Sequence, residues 1–178
     1  MKAEVFRVFP TTPVMTGFYS SPLGTIRITF DENALHALRF EEHFSVSGSS
    51  KYLNQPVFQE TTRWLDLYFS GHQPNYLPPL ASNITPFRHI IYEILLTIPY
   101  GQTLTYGDVA MQAARRLNRP TMSAQAVGNA VAHNPILLII PCHRVVGAKG
   151  SLTGYAGGLK RKAQLLAWEE RRRGFLSL

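Results

Sequence analysis

The sequence predicts an α+β protein with a small N-terminal β-sheet/α domain, residues 1–84, and a mainly helical C-terminal domain, residues 85–178, that contains a helix-turn-helix. Strand-like runs fill residues 16–40, whereas amphipathic helical patterns dominate after residue 85. The charge changes at the same boundary. Residues 1–85 carry six Lys and Arg against seven Asp and Glu, a net of −1, and residues 86–178 carry twelve against four, a net of +8.

The N-terminal domain is expected to begin with three strands and one helix. TGFYS and GTIRITF are rich in β-forming residues and flank the turn Ser21-Pro22-Leu23-Gly24, and ALHALRF alternates as a third strand. Residues 41–55 are expected to form a loop. Pro56 then opens a helix that ends at Gly71. Its buried face is predicted to carry Val57, Thr61, Trp64, Leu65 and Tyr68. Residues 72–83 contain three prolines and are predicted to be a linker.

The C-terminal domain is expected to be built from short capped helices. Thr85 is a predicted N-cap before proline at the first helical position. The apolar stripe that follows consists of Phe87, Ile90, Ile91, Ile94, Leu95 and Ile98. Thr105 is expected to cap a helix that runs to about residue 117, and Ser123 to cap another through about residue 132. Because only a short break at Asn118-Arg119-Pro120 separates them, the pair is typical of a helix-turn-helix.

The second of these helices has unusually small side chains at Ala124, Ala126, Gly128 and Ala130. Small side chains let a helix backbone approach another surface closely, which is either a neighbouring helix or a DNA groove. The basic charge leaves a similar choice between an ordinary solvated surface and a polyanionic partner. Sequence patterns alone leave both questions open.

Composition excludes several classes of protein. A single cysteine allows no intramolecular disulfide and no cysteine-rich zinc site. No apolar run approaches the roughly 20 residues that cross a bilayer, and the first residues lack the apolar stretch of a secretory signal. With 45% hydrophobic residues the chain is expected to bury a core. We therefore expect a soluble, cytoplasmic protein without a membrane partner.

The candidate reactive group is the lone thiol of Cys142. The run from Ile136 to Ile140 is predicted to be buried and extended, and it leads to Pro141 and Cys142. An apolar environment raises the pKa of a thiol, so a nucleophilic Cys142 needs a base. His143 is the adjacent candidate, and in an extended segment its side chain would point away from Cys142, which favours a bridging water.

Each of these residues also has a simpler interpretation. A lone cysteine is commonly a small buried hydrophobe, and the histidine is equally explained as a core residue with satisfied hydrogen bonds. A carboxylate behind the histidine would complete a triad. The basic half offers Glu93, Asp108, Glu169 and Glu170, and composition does not choose among them.

Several motifs together resemble the O6-alkylguanine-DNA alkyltransferase family. The central motif is Pro141-Cys142-His143-Arg144-Val145-Val146. The other matching segments are Ser21-Pro22-Leu23-Gly24, Tyr100 to Tyr106, Gln125 to Ala130, Asn134-Pro135, Gly154 to Gly158, Lys160-Arg161-Lys162 and Leu165-Leu166. The resemblance covers about residues 17 to 170, and the six-residue motif is specific.

The resemblance implies a set of catalytic residues. Cys142 would be the nucleophile and the alkyl acceptor, His143 its base through water, and Glu169 the residue that orients His143. Asn134 would support the hydrogen bonds around the site, and Lys162 the proton relay near the thiol. Tyr106 would lie at the DNA face, rotate the phosphate of the target nucleotide and donate a proton as guanine leaves.

The resemblance also implies which residues bind DNA and substrate. The helix residues Gln125, Ala126 and Gly128 would contact DNA, and backbone groups around Val145 and Val146 would read the guanine edge. Arg144 is counted with the DNA-binding and substrate-binding residues. Tyr155, Ala156 and Gly157 would close the pocket, although a turn that needs positive φ explains Gly157 and Gly158 equally well.

Two positions depart from the family pattern. Gln125 stands where the family usually has an arginine that inserts into the base stack, so we expect weaker DNA binding or slower flipping. Leu137 stands where some relatives have a proline that lines the pocket, which bears on the alkyl groups accepted.

The implied reaction is a single displacement at a saturated carbon, with double-stranded DNA carrying alkylated guanine as partner. It calls for no cofactor, no metal and no obligate protein partner. There are two rival interpretations. One is a lesion-binding module that performs no transfer, and in relatives of that kind the cysteine is replaced. The other is a cysteine hydrolase that uses Cys142 and His143.

Overall fold

A computed structural model describes residues 5–7, 12–42, 52–81 and 84–173. The chain divides into two compact units, Met1–Asn83 and Ile84–Leu178. No helix among the described residues is long and apolar enough to cross a membrane.

The first unit contains a five-stranded sheet in the order β1-β5-β4-β3-β2. The strands are β1 (Phe6–Arg7), β2 (Met15–Ser21), β3 (Gly24–Phe30), β4 (Leu35–Phe40) and β5 (Leu80–Ala81). Strands β2, β3 and β4 are the three predicted strands, and they form an antiparallel meander. Strand β5 runs parallel to both β4 and β1. Gly24 adopts a φ of 115° in the β2–β3 turn, a conformation that favours glycine.

Helix α1 (Pro56–Phe69) supplies the apolar partner of this sheet. The five residues predicted for its inner face are all buried. The ring of Phe58 lies 5.4 Å from that of Phe30 on β3, which joins helix and sheet through aromatic contact. The prediction for this element is confirmed.

The segment 72–83 is not only a linker, because it contributes strand β5. Prolines lack an amide hydrogen but keep their carbonyl as an acceptor, and Leu35 N donates to Pro79 O at 2.8 Å. Trp64 Nε1 also donates to Tyr76 O at 3.1 Å, which holds the segment against α1. Of the predicted loop 41–55, residues 43–51 lie outside the described residues.

The second unit contains four α-helices among its described residues. They are α2 (Pro86–Leu96), α3 (Tyr106–Arg116), α4 (Ala124–Ala132) and α5 (Leu159–Arg173). Thr85 caps α2, Thr105 forms a capping box with Asp108 at α3, and Ser123 caps α4. The predicted starts of all three helices are confirmed.

The run before the cysteine differs from the prediction. Residues 136–140 are buried, as expected, but they form successive turns instead of an extended segment. Leu138 has a φ of 69°, and Ile140 N donates to Ile136 O at 3.1 Å. Burial follows from apolar side chains in either conformation, so the sequence pattern could not tell turns from a strand.

The cysteine itself lies in one turn of 3-10 helix, Cys142–Arg144. This turn also replaces the extended geometry expected for Cys142 and His143, in which their side chains would point to opposite faces. Strand β7 (Val145–Val146) follows at once and pairs in parallel with β6 (Leu104–Thr105), directly before α3. This pairing brings the start of the helix-turn-helix next to the cysteine turn.

Candidate active site

Cys142 is the centre of the candidate site. It is 3% exposed, and burial raises the pKa of its thiol to about 11. The Asn134 amide and the charge of Lys162 act in the opposite direction but do not outweigh burial. The thiol is therefore protonated at neutral pH, and it needs a base before it can attack carbon.

Asn134 fixes the turns that carry the thiol. Its amide nitrogen donates to Ile140 O at 2.9 Å and to Cys142 Sγ at 3.1 Å, while its side-chain oxygen accepts from Ile136 N at 3.0 Å. An amide is the side chain that can donate and accept at once in this way. Asn134 is 1% exposed, so these bonds lie away from solvent.

His143 and Glu169 form a buried pair. His143 Nε2 lies 2.8 Å from Glu169 Oε1, and both side chains are fully buried. Burial lowers the pKa of His143 despite the carboxylate beside it. Burial acts to raise the pKa of Glu169, but the charges and hydrogen bonds of His143 and Arg144 hold it well below its usual range. At neutral pH the pair consists of a neutral imidazole and a carboxylate.

The charge state of Glu169 fixes the histidine tautomer. An ionised carboxylate can only accept hydrogen bonds, so Nε2 of His143 carries the ring proton and donates a hydrogen bond to Oε1. In the neutral ring, Nδ1 then has the lone pair and is the basic atom. This is the arrangement in which a carboxylate prepares an imidazole to take a proton from another group.

Arg144 is not placed as the sequence analysis expected. It is 6% exposed, its Nε and Nη2 donate to Glu169 at 2.9 and 3.0 Å, and Nη1 donates to Ile98 O at 2.7 Å. A guanidinium bound twice to one buried carboxylate is not available to DNA phosphates. The sequence pattern missed this because a basic residue in a basic domain looks like a surface residue.

Lys162 joins three parts of the site. Its Nζ donates to Val145 O and Thr153 O, both at 2.6 Å, and to Gly154 O at 3.3 Å. The side chain is fully buried, and burial lowers its pKa. The ammonium group thus ties strand β7 to the segment between β7 and α5, and one lone pair of the Val145 carbonyl is already engaged.

Tyr106 lies at the first position of α3, beside this lysine. Its ring centroid is 6.0 Å from Lys162 Nζ, and its hydroxyl is 3.5 Å from Thr153 O. Burial raises the pKa of the phenol, so it keeps its proton at neutral pH. Tyr106 is therefore able to donate a proton, and it lies beside Lys162, which supports Cys142.

The segment 147–158 forms the remaining wall of the site. The Tyr155 ring meets that of His143 edge to face at 6.3 Å, and its buried hydroxyl has no hydrogen-bond partner among the described residues. Gly157 is buried, Ala156 is exposed, and Gly158 has a φ of 88°, so positive φ is confirmed for Gly158. Gly157 is not among the described glycines with positive φ.

The predicted DNA-contacting residues on α4 lie on or near its surface. Gln125 is exposed, and Ala126 and Gly128 are partly exposed, whereas Val127 and Ala130 are buried. A Cβ added at Gly128 would lie 3.9 Å from the Tyr106 ring, an ordinary contact distance. Packing against the Tyr106 ring therefore leaves room for a Cβ at Gly128, and the small side chains of Ala126 and Gly128 give the exposed face of α4 a low profile. Leu137, the other departure from the family pattern, is buried at 2% exposure.

Backbone groups supply contacts that sequence reasoning missed. Gly101 N donates to Glu169 Oε2 at 2.9 Å, and the carbonyls of Ile98, Thr153 and Gly154 accept from Arg144 or Lys162. Because any residue can supply a backbone group, no side-chain pattern points to these contacts. The one available signal was Gly101, whose φ of 71° marks a special turn within the Tyr100 to Tyr106 motif.

A helix-turn-helix joined to a buried cysteine, with a histidine and a carboxylate behind it, defines a class of DNA-binding protein with a reactive thiol. Comparison with known families specifies the class. Residues 86–171 match the 6-O-methylguanine DNA methyltransferase DNA-binding domain, and residues 14–78 match the ribonuclease-like domain of the same family. The chain belongs to the 6-O-methylguanine DNA methyltransferase family.

Individual relatives agree with this assignment. The Methanosarcina acetivorans methylated-DNA–protein-cysteine methyltransferase is 40% identical over 154 residues, which cover 85% of this chain and 95% of the relative. The Mycobacterium bovis protein of the same name is 39% identical over 153 residues, covering 85% and 90%.

Solved structures show the same fold. The Mycobacterium tuberculosis O6-methylguanine methyltransferase has a TM-score of 0.73 and 36% identity, covering 90% of this chain and 94% of the other. A crystal structure of Mycobacterium tuberculosis OGT in complex with DNA has a TM-score of 0.71 and 35% identity, covering 88% and 93%. The expected fold class, family and α+β architecture are confirmed.

Proposed function

We propose that this protein repairs DNA by moving the alkyl group of O6-alkylguanine to Cys142, once per molecule. The observation that carries the proposal is the buried thiol, which accepts a hydrogen bond from Asn134 next to the His143–Glu169 pair. Relatives about 40% identical over most of the chain are named methylated-DNA–protein-cysteine methyltransferases, which supports the assignment.

The first step is removal of the thiol proton. With a thiol pKa of about 11, little thiolate exists at neutral pH. The proton passes from Sγ to Nδ1 of His143 through a water molecule, and the resulting imidazolium is stabilised by Glu169. Asn134 and Lys162 stabilise the thiolate, since the amide donates to sulfur and the ammonium lowers the thiol pKa.

The second step is displacement at the saturated carbon. The thiolate attacks the alkyl carbon, the S–C bond forms, and the bond between this carbon and guanine O6 breaks. Tyr106 donates its proton to guanine as the base departs, which lowers the barrier because a neutral base leaves more easily than an anion. Solvent returns the proton to Tyr106, and the imidazolium of His143 loses its extra proton to solvent.

The target base must leave the duplex before it reaches a buried sulfur. Flipping a nucleotide costs a few kcal/mol, and less when the base is damaged and weakly paired. We propose that α4 approaches DNA with its small-sided outer face and that Gln125 fills part of the space vacated by the base. Val145, Val146, Tyr155, Ala156 and Gly157 would then surround the flipped guanine.

The product explains why one molecule acts only once. A thioether has no good leaving group, so the alkyl group stays on the Cys142 sulfur. The step needs no electron transfer and no activated donor, since the lesion itself carries the alkyl group. The chain would therefore act alone on double-stranded DNA that carries the lesion.

Intact-mass spectrometry tests the proposal. After incubation with a duplex containing O6-methylguanine, the protein should gain one methylene, about 14 Da, in a covalent adduct located on Cys142 by peptide mapping. The Cys142→Ala variant is the control and should gain nothing. No gain in the unaltered protein would favour a lesion-binding module, and repeated turnover with an unmodified thiol would favour a hydrolase.

A further inference from the structure

The connection between the two helices of the helix-turn-helix is longer than the short break at Asn118-Arg119-Pro120 that the sequence predicts. Helix α3 ends at Arg116 and α4 begins at Ala124, so residues 117–123, seven in all, join them. Helices of such motifs are commonly joined by a turn of roughly three to four residues. Without the cap residues Leu117 and Ser123, five residues still remain. A compact helix-turn-helix does not require these additional residues.

This connection and α3 together line an open cavity. The cavity has a volume of about 300 Å³, and no residue of the thiol site lines it. Its apolar wall includes Ala110, Met111 and Met122, and Met111 is 50% exposed. Arg115 and Arg119 contribute the charged part of the lining, and none of the lining residues is acidic.

The two arginines differ from their neighbour Arg116. Arg116 donates to Glu93 at 2.9 Å and is already paired. Arg115 instead donates to the Met111 thioether at 3.5 Å, and a thioether is a weak acceptor. Neither Arg115 nor Arg119 has a carboxylate partner among the described residues. Both guanidinium groups are exposed and retain donors for an anionic ligand.

We infer that the segment 115–123 is a second contact with DNA, in which Arg115 and Arg119 bind phosphates of the duplex backbone. The inference rests on the proposed function, because it takes α4 to be the helix that approaches the groove. In a helix-turn-helix the first helix crosses the backbone while the second enters the groove. The connection leads directly into the N-terminus of α4, where Gln125 is exposed. When α4 approaches the groove, the connection would therefore lie beside the DNA backbone.

The inference gives this long connection a physical role. Gln125 is uncharged, so α4 brings no cation at the second position of the helix. Contacts with phosphate are independent of sequence and add affinity through release of counterions. Arg115 and Arg119 thus supply, outside the groove, positive charge that α4 lacks inside it. An acidic peptide is the other occupant that a cationic, partly apolar cavity would accept.

Salt-dependent DNA binding tests the inference. The affinity of the full chain for a labelled duplex with O6-methylguanine is measured by fluorescence anisotropy over a series of salt concentrations. Each phosphate contact contributes about −0.9 to the slope of log K against log salt, which corresponds to about an eightfold factor in the DNA-binding constant K at 0.1 M salt. Arg115→Gln and Arg119→Gln should each reduce the slope by about this amount, on damaged and undamaged duplexes alike.

Arg116→Gln is the matched control, since it removes the same charge from the neighbour of Arg115, which is paired with Glu93, and its slope should stay near that of the unaltered protein. Thermal melting followed by circular dichroism checks that each variant is folded. Equal slopes for Arg115→Gln, Arg119→Gln and Arg116→Gln would overturn the inference. The inference would also be overturned if Arg115→Gln and Arg119→Gln kept their affinity for DNA but lost binding to an acidic peptide. Methyl transfer by the unaltered protein is scored separately, so a failure of the proposed repair activity remains distinct.

Discussion

Glu169 accepts hydrogen bonds from three residues in a site closed to solvent. It accepts from His143, twice from Arg144, and once from Gly101 N. The permanent charge of Arg144 keeps the carboxylate ionised, and the ionised carboxylate in turn dictates which nitrogen of His143 is basic. Arg144 is thus a positioning residue for the proposed reaction, although the sequence analysis counted it with the DNA-binding and substrate-binding residues.

Glu169→Gln should reverse the histidine tautomer. The amide of glutamine can donate to Nε2, which would move the ring proton to Nδ1 and remove the base proposed to accept the thiol proton. We expect methyl transfer to slow by about 10³-fold to 10⁴-fold, as when a triad carboxylate becomes an amide. Single-turnover rates on O6-methylguanine DNA measure the effect. DNA affinity is the control and should change little, and a rate near that of the unaltered protein would contradict the role of Glu169.

The pH dependence of transfer should report His143. Burial lowers the pKa of His143, so the neutral, basic ring persists as the pH falls below its usual value of about 6.5. The rate should therefore be level around neutral pH and fall only on the acid side, when the ring becomes protonated before it can accept the thiol proton. Rates measured between pH 5 and 9 check this.

The variant His143→Asn gives the contrasting profile. Without the imidazole, the thiol must ionise by itself, and its pKa is about 11. The rate of this variant should be low at neutral pH and rise throughout the alkaline range. The same profile in both proteins would show that His143 is not the base.

At the scale of elements, the sequence and structure agree best where local chemistry decides. Thr105 and Asp108 make both hydrogen bonds of a capping box, and Ser123 accepts from two amides of α4, so the helix-turn-helix begins where the caps are. Strand β5 was missed because two residues carry no periodic pattern and take their conformation from β1 and β4. The turns of residues 136–140 were missed because they depend on Asn134, which precedes them.

Gln125→Arg in α4 should strengthen DNA binding. The new guanidinium adds a cation and a planar group that can stack on bases exposed by flipping. We expect the salt slope of binding to become steeper by about 0.9 and affinity to rise about eightfold at 0.1 M salt. The transfer rate should rise as well, because flipping is supported. Anisotropy titrations and single-turnover rates provide the measurements.

Gln125→Lys is the matched control for this substitution. Lysine adds the charge without a planar group, so it should reproduce most of the gain in affinity but less of the gain in rate. If Gln125→Arg leaves both quantities unchanged, residue 125 does not take the place of an inserted side chain in this protein.

At the scale of the whole molecule, alkylation should lower stability. Cys142 lies in a closely packed, buried turn, and an added methyl group must displace its neighbours. Overpacking of this kind costs about 1–3 kcal/mol. The melting temperature of the methylated protein should therefore fall by several degrees, about 2–4 °C for each kcal/mol. Calorimetry before and after incubation with O6-methylguanine DNA measures the shift.

Cys142→Ala treated with the same DNA separates alkylation from binding. Any shift caused by bound DNA should be present in this variant too, whereas the loss caused by the methyl group should be absent. An unchanged melting temperature of the methylated protein would mean that the turn around Cys142 accommodates the additional carbon without strain.

The sequence by itself determined the three strands within residues 16–40, the helix starts and the family, because caps, prolines, periodicity and contiguous motifs act over a few residues. Tertiary structure alone decided that Arg144 faces Glu169, that Lys162 binds three carbonyls, and that residues 136–140 turn instead of extending. These contacts join residues far apart in the chain, and several use backbone groups that every residue has. Their formation depends on which groups burial brings together, which no local pattern specifies.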